Sequence, residues 1–214
     1  MTTRDALLTH LVHAVQSLTH PARVAVDGPP AAGKTTLADE LAALLRGRGH
    51  PVVRATIDDY LHPPARRYAR GEFTAESCYF DTHDHRRLSR EVLDPLRPGD
   101  GVLIVDGVFL LRPELVDRWD LSIFVSVGLD RTVERAVVRE SPTSTRADVE
   151  RRWRERYLPA QRLYFTRDAP TERAHIVVHN DDPRHPAWTY RNGASSRPHR
   201  TGSSVNPADS PHNQ

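Results

Sequence analysis

Hydrophobic positions along the chain fall into runs of two kinds. Leu7, Leu8, Leu11, Val12, Val15 and Leu18 recur at helical spacing and predict a one-faced helix over 4–18, ended by Pro21. Residues 23–27 (Arg-Val-Ala-Val-Asp) form a short buried-strand pattern that runs into a Gly/Pro loop at 28–33. A helix is predicted from 34 to about 46, closed by Gly47 and Gly49, and a second strand over 52–57. Residues 61–80, with Pro63, Pro64 and Gly71, read as irregular, and 83–93 as a helix. The clearest buried strand is 102–106 (Val-Leu-Ile-Val-Asp), followed by another at 121–127. Helical patterns cover 129–140 and 148–164, and 175–179 is a last short strand.

Short apolar strands alternating with helices predict an α/β fold: a mainly parallel sheet covered on both faces, in three layers. One domain over 1–190 accounts for all the patterned elements. Residues 191–214 contain no aromatic and only Val205 as a large aliphatic, so a disordered tail is predicted there.

Composition narrows this picture in a few respects. The 214 residues suffice for one ordinary domain, and 38% apolar residues can build its core. No run approaches the ~18 apolar residues of a membrane span, and no signal-peptide core opens the chain. Cys78 is the one cysteine, which excludes an intramolecular disulfide. A cytoplasmic protein without a membrane partner is expected. A net charge of +2 is too balanced to argue nucleic-acid binding, and self-association as a homo-oligomer stays open. Of 30 basic residues one, Lys34, is lysine. Arginine serves everywhere else, so the position of this flexible point charge matters.

It stands in Gly28-Pro29-Pro30-Ala31-Ala32-Gly33-Lys34-Thr35, with Thr36 following, which matches G-x-x-x-x-G-K-[ST] without a mismatch. An apolar strand precedes the loop and an amphipathic helix (Leu37, Leu41, Leu44, Leu45) follows it, as a nucleotide triphosphate site requires. Gly28 and Gly33 permit the turn. Pro29 and Pro30 lack N–H groups, so a phosphate nest must rest on the amides from Ala31 and Ala32 to Thr36. Lys34 would reach the β/γ-phosphates, and Thr35 would ligate Mg²⁺.

Carboxylates supply the second half of the expected chemistry. Asp58 and Asp59 follow the second strand, and Asp106 ends the third. Carboxyl ends of strands face the ligand crevice of a doubly wound sheet, so these acids should converge near the phosphates. A carboxylate there can hold Mg²⁺ or take a proton from an attacking hydroxyl.

With these pieces in place the chain resembles the uridine kinase and phosphoribulokinase group of phosphate-loop kinases. The resemblance rests on residues 28–36, Asp58-Asp59-Tyr60, Tyr79-Phe80-Asp81 with Asp84, Asp106-Gly107-Val108, Arg156-Tyr157-Leu158-Pro159 with Gln161 and Tyr164, and the closing stretch 174–180. It implies a nucleoside-kinase-like fold and Mg-ATP- or Mg-GTP-dependent phosphorylation of a hydroxyl on a nucleoside or other small molecule. Asp58 would be the catalytic carboxylate and a metal ligand, and Asp106 a metal-supporting acid. Asp81, with Tyr60, Tyr157 and Gln161, would bind the acceptor. Arg135 and Arg139 would meet the transferring phosphoryl group from a helix leading into a lid near 139–150.

Two stretches depart from that pattern. The group's base-reading hairpin would lie between the 83–93 helix and the 102–106 strand, where 93–101 connects directly. Poor discrimination between bases, or a non-nucleoside acceptor, is therefore expected. In the lid, Arg139-Glu140-Ser141-Pro142 replaces the usual Arg-Asp followed by Arg-Gly. An alternative reading is thus a nucleotide-binding regulatory protein, or a degenerate kinase that binds ATP without efficient transfer.

Other constellations carry less. Twelve histidines include no H-E-x-x-H and no Cys/His cluster. Cys78 reads as a buried bystander thiol. The basic segment from Arg151 to Arg156 reads as a solvated helix face rather than an RNA surface.

Overall fold

The computed structural model describes residues 2–97, 99 and 101–191. The predicted tail 191–214 therefore lies, after Arg191, outside the described residues.

Six strands form one sheet: β1 (Ala22–Asp27), β2 (Val52–Thr56), β3 (Val102–Gly107), β4 (Leu121–Ser126), β5 (Ile176–His179) and β6 (Ala187–Tyr190). Their spatial order is β2-β3-β1-β4-β5-β6. The first four pairings are parallel, with Val24 opposite Ile104 and Leu121, and β6 closes the edge antiparallel to β5. Period-2 alternation sends the side chains of each strand to opposite faces. Val24 and Val26, Val102 and Ile104, and Ile123 and Val125 face one core layer. They meet Leu7, Leu11 and Val15 of helix α1 (Arg4–Gln16) and Leu37, Leu41 and Leu45 of α2 (Lys34–Gly47) there. Ala25, Leu103, Val105 and Phe124 face the second layer, which holds Leu110, Leu111, Tyr79 and Tyr164.

That second layer is covered by elements the periodicity did not resolve. The stretch expected to be irregular, 61–80, contains two short helices, α3 (Pro64–Arg67) and α4 (Ala75–Asp81). Four- and seven-residue helices are too short to show a repeating apolar face, which explains the difference. Helix α5 (His85–Leu88) and the turn after it fill the 83–93 prediction. Helices α6 (Leu129–Glu140), α7 (Arg146–Arg152), α8 (Leu158–Asp168) and α9 (Pro170–Arg173) complete the chain. A small third cluster, Ala136, Val137, Val149, Trp153 and Leu158, packs α6 against α7 and the start of α8.

Among the described residues none between Leu93 and Val102 is in a strand. The connection lies at the amino ends of the strands: Gly101 O accepts Ala22 N–H at 3.0 Å and Val102 N–H donates to Pro51 O at 2.9 Å. That is the end of the sheet opposite the phosphate loop. The segment facing the crevice is 61–83. No described helix is long and apolar enough to cross a membrane.

Candidate active site

Three parallel strands end beside one another, and a cavity of about 580 Å³ opens over their carboxyl ends. Its wall includes Ala31, Gly33, Lys34, Thr35 and Thr36 from the phosphate loop and α2, Asp58 after β2, and Asp106 of β3.

Local backbone geometry shapes the loop. Gly28 has φ +148°, and a Cβ there would sit 2.4 Å from Val125 O, so the loop can leave β1 only as glycine. Gly33 has φ +94°, and its Cβ would lie 2.9 Å from Asn180 Nδ2, which donates to Ala32 O at 2.8 Å. Gly28 and Ala32 are buried under the loop rather than in its wall, so their part is conformational. Ala32 N–H donates to Pro29 O at 3.2 Å. The amides of Lys34, Thr35 and Thr36, in the first helical turn, remain aimed outward for an anion.

Lys34 is almost buried and its Nζ donates to Pro29 O at 2.8 Å. Burial pulls its ammonium below the ordinary lysine range, while Asp27, Asp58 and Asp106 pull the other way. Thr35 Oγ1 donates to Asp106 Oδ2 at 2.6 Å, and Arg54 Nη2 donates to Asp106 Oδ1 at 2.9 Å. Both carboxylate oxygens of Asp106 thus have protein donors, and the acid orients the Thr35 hydroxyl.

Asp58 faces this group across the cavity with a largely exposed carboxylate. His83 Nε2 lies 3.5 Å from its Oδ1. The imidazole beside it, with Lys34 and Arg139 further off, holds the Asp58 carboxyl below the usual range, so a base is available at neutral pH. Asp59, next in the chain, is exposed and outside the cavity wall.

The predicted acceptor residues divide. Tyr157 and Gln161 line the cavity, together with Trp153 and Arg156 from the turn before α8. Asp81 and Tyr60 do not. Asp81, at the end of α4, pairs with Arg70 at 3.2 Å, and the Tyr60 ring lies under the Arg87 guanidinium at 5.3 Å. Of the arginine stripe, Arg135 and Arg139 reach the wall and Arg131 does not. Arg135 donates to Asn180 O at 2.7 Å, and Arg139 pairs with Glu140 at 3.0 Å. Cys78 is buried in the wall, and burial pushes its thiol up to about 11, which makes it a poor nucleophile.

Sequence reasoning missed four supports of the site: Asp27, Arg54, His83 and Asn180. Asp27 is fully buried and accepts from Gly28 N–H at 2.6 Å, Leu111 N–H at 3.1 Å and Tyr164 Oη at 2.6 Å. It thereby ties the start of the phosphate loop to the turn after β3 and to α8. Burial pushes its carboxyl up to about 6 despite those donors. The available sequence signal was a charge ending an otherwise apolar strand.

Among the described residues no cluster of three or more His, Cys, Asp or Glu forms a metal cage. The Thr35 hydroxyl with Asp106 and Asp58 is a set of hard oxygens that fits Mg²⁺ shared with substrate phosphates, the way that ion is usually held. When bound, the ion would neutralise phosphate charge.

No protein-family model matches the chain, and no curated protein matches it in sequence. Solved structures do match its fold. A protein from Bacillus stearothermophilus described as a possible uridine kinase aligns with TM-score 0.61 at 20% identity, over 79% of this chain and 96% of its own. A protein of Silicibacter sp. TM1040, provisionally assigned as a fructose transport system kinase, gives TM-score 0.60 at 22% identity, over 75% and 93%. The YGR205w protein gives 0.65 at 13% identity, over 89% and 99%. The chain therefore has the α/β fold of phosphate-loop kinase structures, with a mainly parallel six-stranded sheet. At these identities the likeness reaches the fold and no further.

Proposed function

We propose that the protein is a small-molecule kinase that transfers the γ-phosphoryl group of ATP or GTP to a hydroxyl of its acceptor, with Mg²⁺. The observation that carries this reading is the position of Asp58. Its accessible carboxylate stands across one cavity from Lys34 and Thr35, with further cavity wall behind it formed by 61–83 and the start of α8.

In this reading the first-turn amides of α2 and Lys34 hold the β- and γ-phosphates. The acceptor hydroxyl gives its proton to Asp58 as its oxygen bonds to the γ-phosphorus, and the nucleoside diphosphate departs with the electrons of the broken bond. Arg139 and Arg135 stand on the lid side, where charge on the moving phosphoryl group needs neutralising. Their contacts to Glu140 and to backbone carbonyls would have to be exchanged for phosphate oxygens when the lid closes. His83 fixes the orientation of Asp58.

The test is ADP formation from Mg-ATP with and without a panel of nucleosides, sugars and hydroxy acids. Acceptor-dependent ADP release supports transfer. ATP binding without acceptor-dependent turnover would favour the second reading, a nucleotide-binding regulator. The observation on that side is Glu140, whose carboxylate engages both Arg139 and Arg152 in the lid.

A further inference from the structure

Thr35, Asp58 and Asp106 offer oxygens to a divalent ion beside the phosphate loop, and Asp106 differs from the other two in being held on both sides. Its carboxylate is buried and pairs with Arg54 of β2, whose side chain is itself mostly buried. The sheet register explains the meeting. Thr56 lies opposite Asp106 and Arg54 opposite Ile104, so period-2 alternation turns Arg54 and Asp106 to the same face. Helix α2 covers that face, and its Thr35 and Asp39, at i and i+4, stand on one side of it.

Each guanidinium nitrogen of Arg54 has an acceptor. Nε donates to Asp39 Oδ1 at 3.0 Å, Nη1 to Ile104 O at 2.9 Å and Ala55 O at 3.1 Å, and Nη2 to Asp106 Oδ1 at 2.9 Å. The planar fork is thus fixed on β2, β3 and α2 together, which a flexible ammonium could not match. At the other carboxylate oxygen, Thr35 Oγ1 donates to Asp106 Oδ2 at 2.6 Å. Neighbouring ligands of an octahedral Mg²⁺, each about 2.1 Å from the ion, lie about 2.9 Å apart. The shorter spacing here is that of a hydroxyl donating to a carboxylate, not of two ligands on one ion. The Thr35 oxygen keeps its lone pairs for a metal while Asp106 takes its proton.

We propose that Arg54 is a positioning residue that acts through Asp106. It pins the carboxylate as acceptor of the Thr35 hydroxyl, offsets its charge, and so keeps it from ligating a divalent ion directly. The site then has little affinity of its own for the free ion, which is held together with the triphosphate. The inference rests on the kinase reading and adds to it what sets the metal's dependence on the nucleotide.

The experiment is calorimetric titration of the full-length protein with MnCl₂, whose ion takes the same oxygen ligands as Mg²⁺, alone and premixed with a non-hydrolysable ATP analogue. The wild type should bind the premixed complex and take up Mn²⁺ alone only weakly. Arg54→Met should bind Mn²⁺ alone about tenfold or more tightly than the wild type, because the Asp106 carboxylate has lost its counter-charge. Adding Asp106→Asn to Arg54→Met should erase that gain, which a merely structural role for Arg54 would not produce. Arg54→Lys should return Mn²⁺ binding towards the wild-type level. Equal binding of Mn²⁺ alone to wild type and Arg54→Met, or a gain that persists with Asp106→Asn, would overturn the proposal. Folding is checked by thermal melting, and Arg54→Gln, which keeps an amide donor for the strand carbonyls, repeats the test where Arg54→Met does not fold. Loss of the fold in both would make Arg54 a strut of the sheet and overturn the proposal as well. Failure of the wild type to bind the analogue, with or without metal, would instead overturn the kinase reading, and the titrations with Mn²⁺ alone would still decide the role of Arg54.

Discussion

Asp27 gives the site a pH dependence whose size follows from its burial. Its carboxyl is raised from 3.8 in the open chain to about 6 in the fold, chiefly because burial penalises the charged form. At about 1.4 kcal/mol per pH unit, ionised Asp27 costs the folded state roughly 3 kcal/mol. The sign is that of an acid with a raised value. Between about pH 4 and 6 the unfolded chain releases this proton while the folded chain keeps it, so stability falls as pH rises across that window and then levels off. Asp27→Asn removes the titration. It also places an amide where Gly28 and Leu111 N–H groups converge, so its absolute stability differs at every pH. The informative quantity is the difference between the two proteins, in which all other titrations cancel. Urea unfolding at pH 4, 5, 6 and 7 should show the wild type losing about 2.4 kcal/mol relative to Asp27→Asn between pH 4 and 7, most of the full effect. Parallel profiles would refute the reasoning and mean that the three donors around Asp27 fully offset its burial.

Lys34→Ala should weaken ATP binding by about 10- to 10²-fold, the value of a lost charged hydrogen bond, measured by titration with the non-hydrolysable analogue. An unchanged affinity would remove Lys34 from the phosphate site. Gly33→Ala should destabilise by about 1–2 kcal/mol for the left-handed φ, with more for displacing Asn180 from Ala32 O, read by urea unfolding. A neutral result there would mean that the loop has another conformation.

Strands β1, β3 and β4 were legible as buried apolar runs and β2 and β5 as short β-branched stretches, and the phosphate loop because its chemistry demands adjacent residues. β6 was not: Ala-Trp-Thr-Tyr is short, half-exposed and at an edge, and carries no such run. The same limit applies to the site. Lys34 and Thr35 were found through the phosphate-loop motif, and Asp58 and Asp106 because each stands at or just after the end of a strand. Arg54, His83 and Asn180 were not, since only the folded chain brings them to their partners. Asp81, carried over from a motif position in sequence, stands at the end of α4 paired with Arg70 and outside the cavity wall.

The central claim is that Asp58 accepts the acceptor's proton, and the measurement that tests it most directly is kcat for Asp58→Asn beside Asp59→Asn, with the acceptor that supports turnover. Asp58→Asn should lose roughly 10²- to 10⁴-fold in kcat while its affinity for the ATP analogue is retained, the scale of a positioned general base. Asp59→Asn, changed outside the cavity wall, should lose far less. Near-wild-type turnover in Asp58→Asn, or a greater loss in Asp59→Asn, would contradict the account.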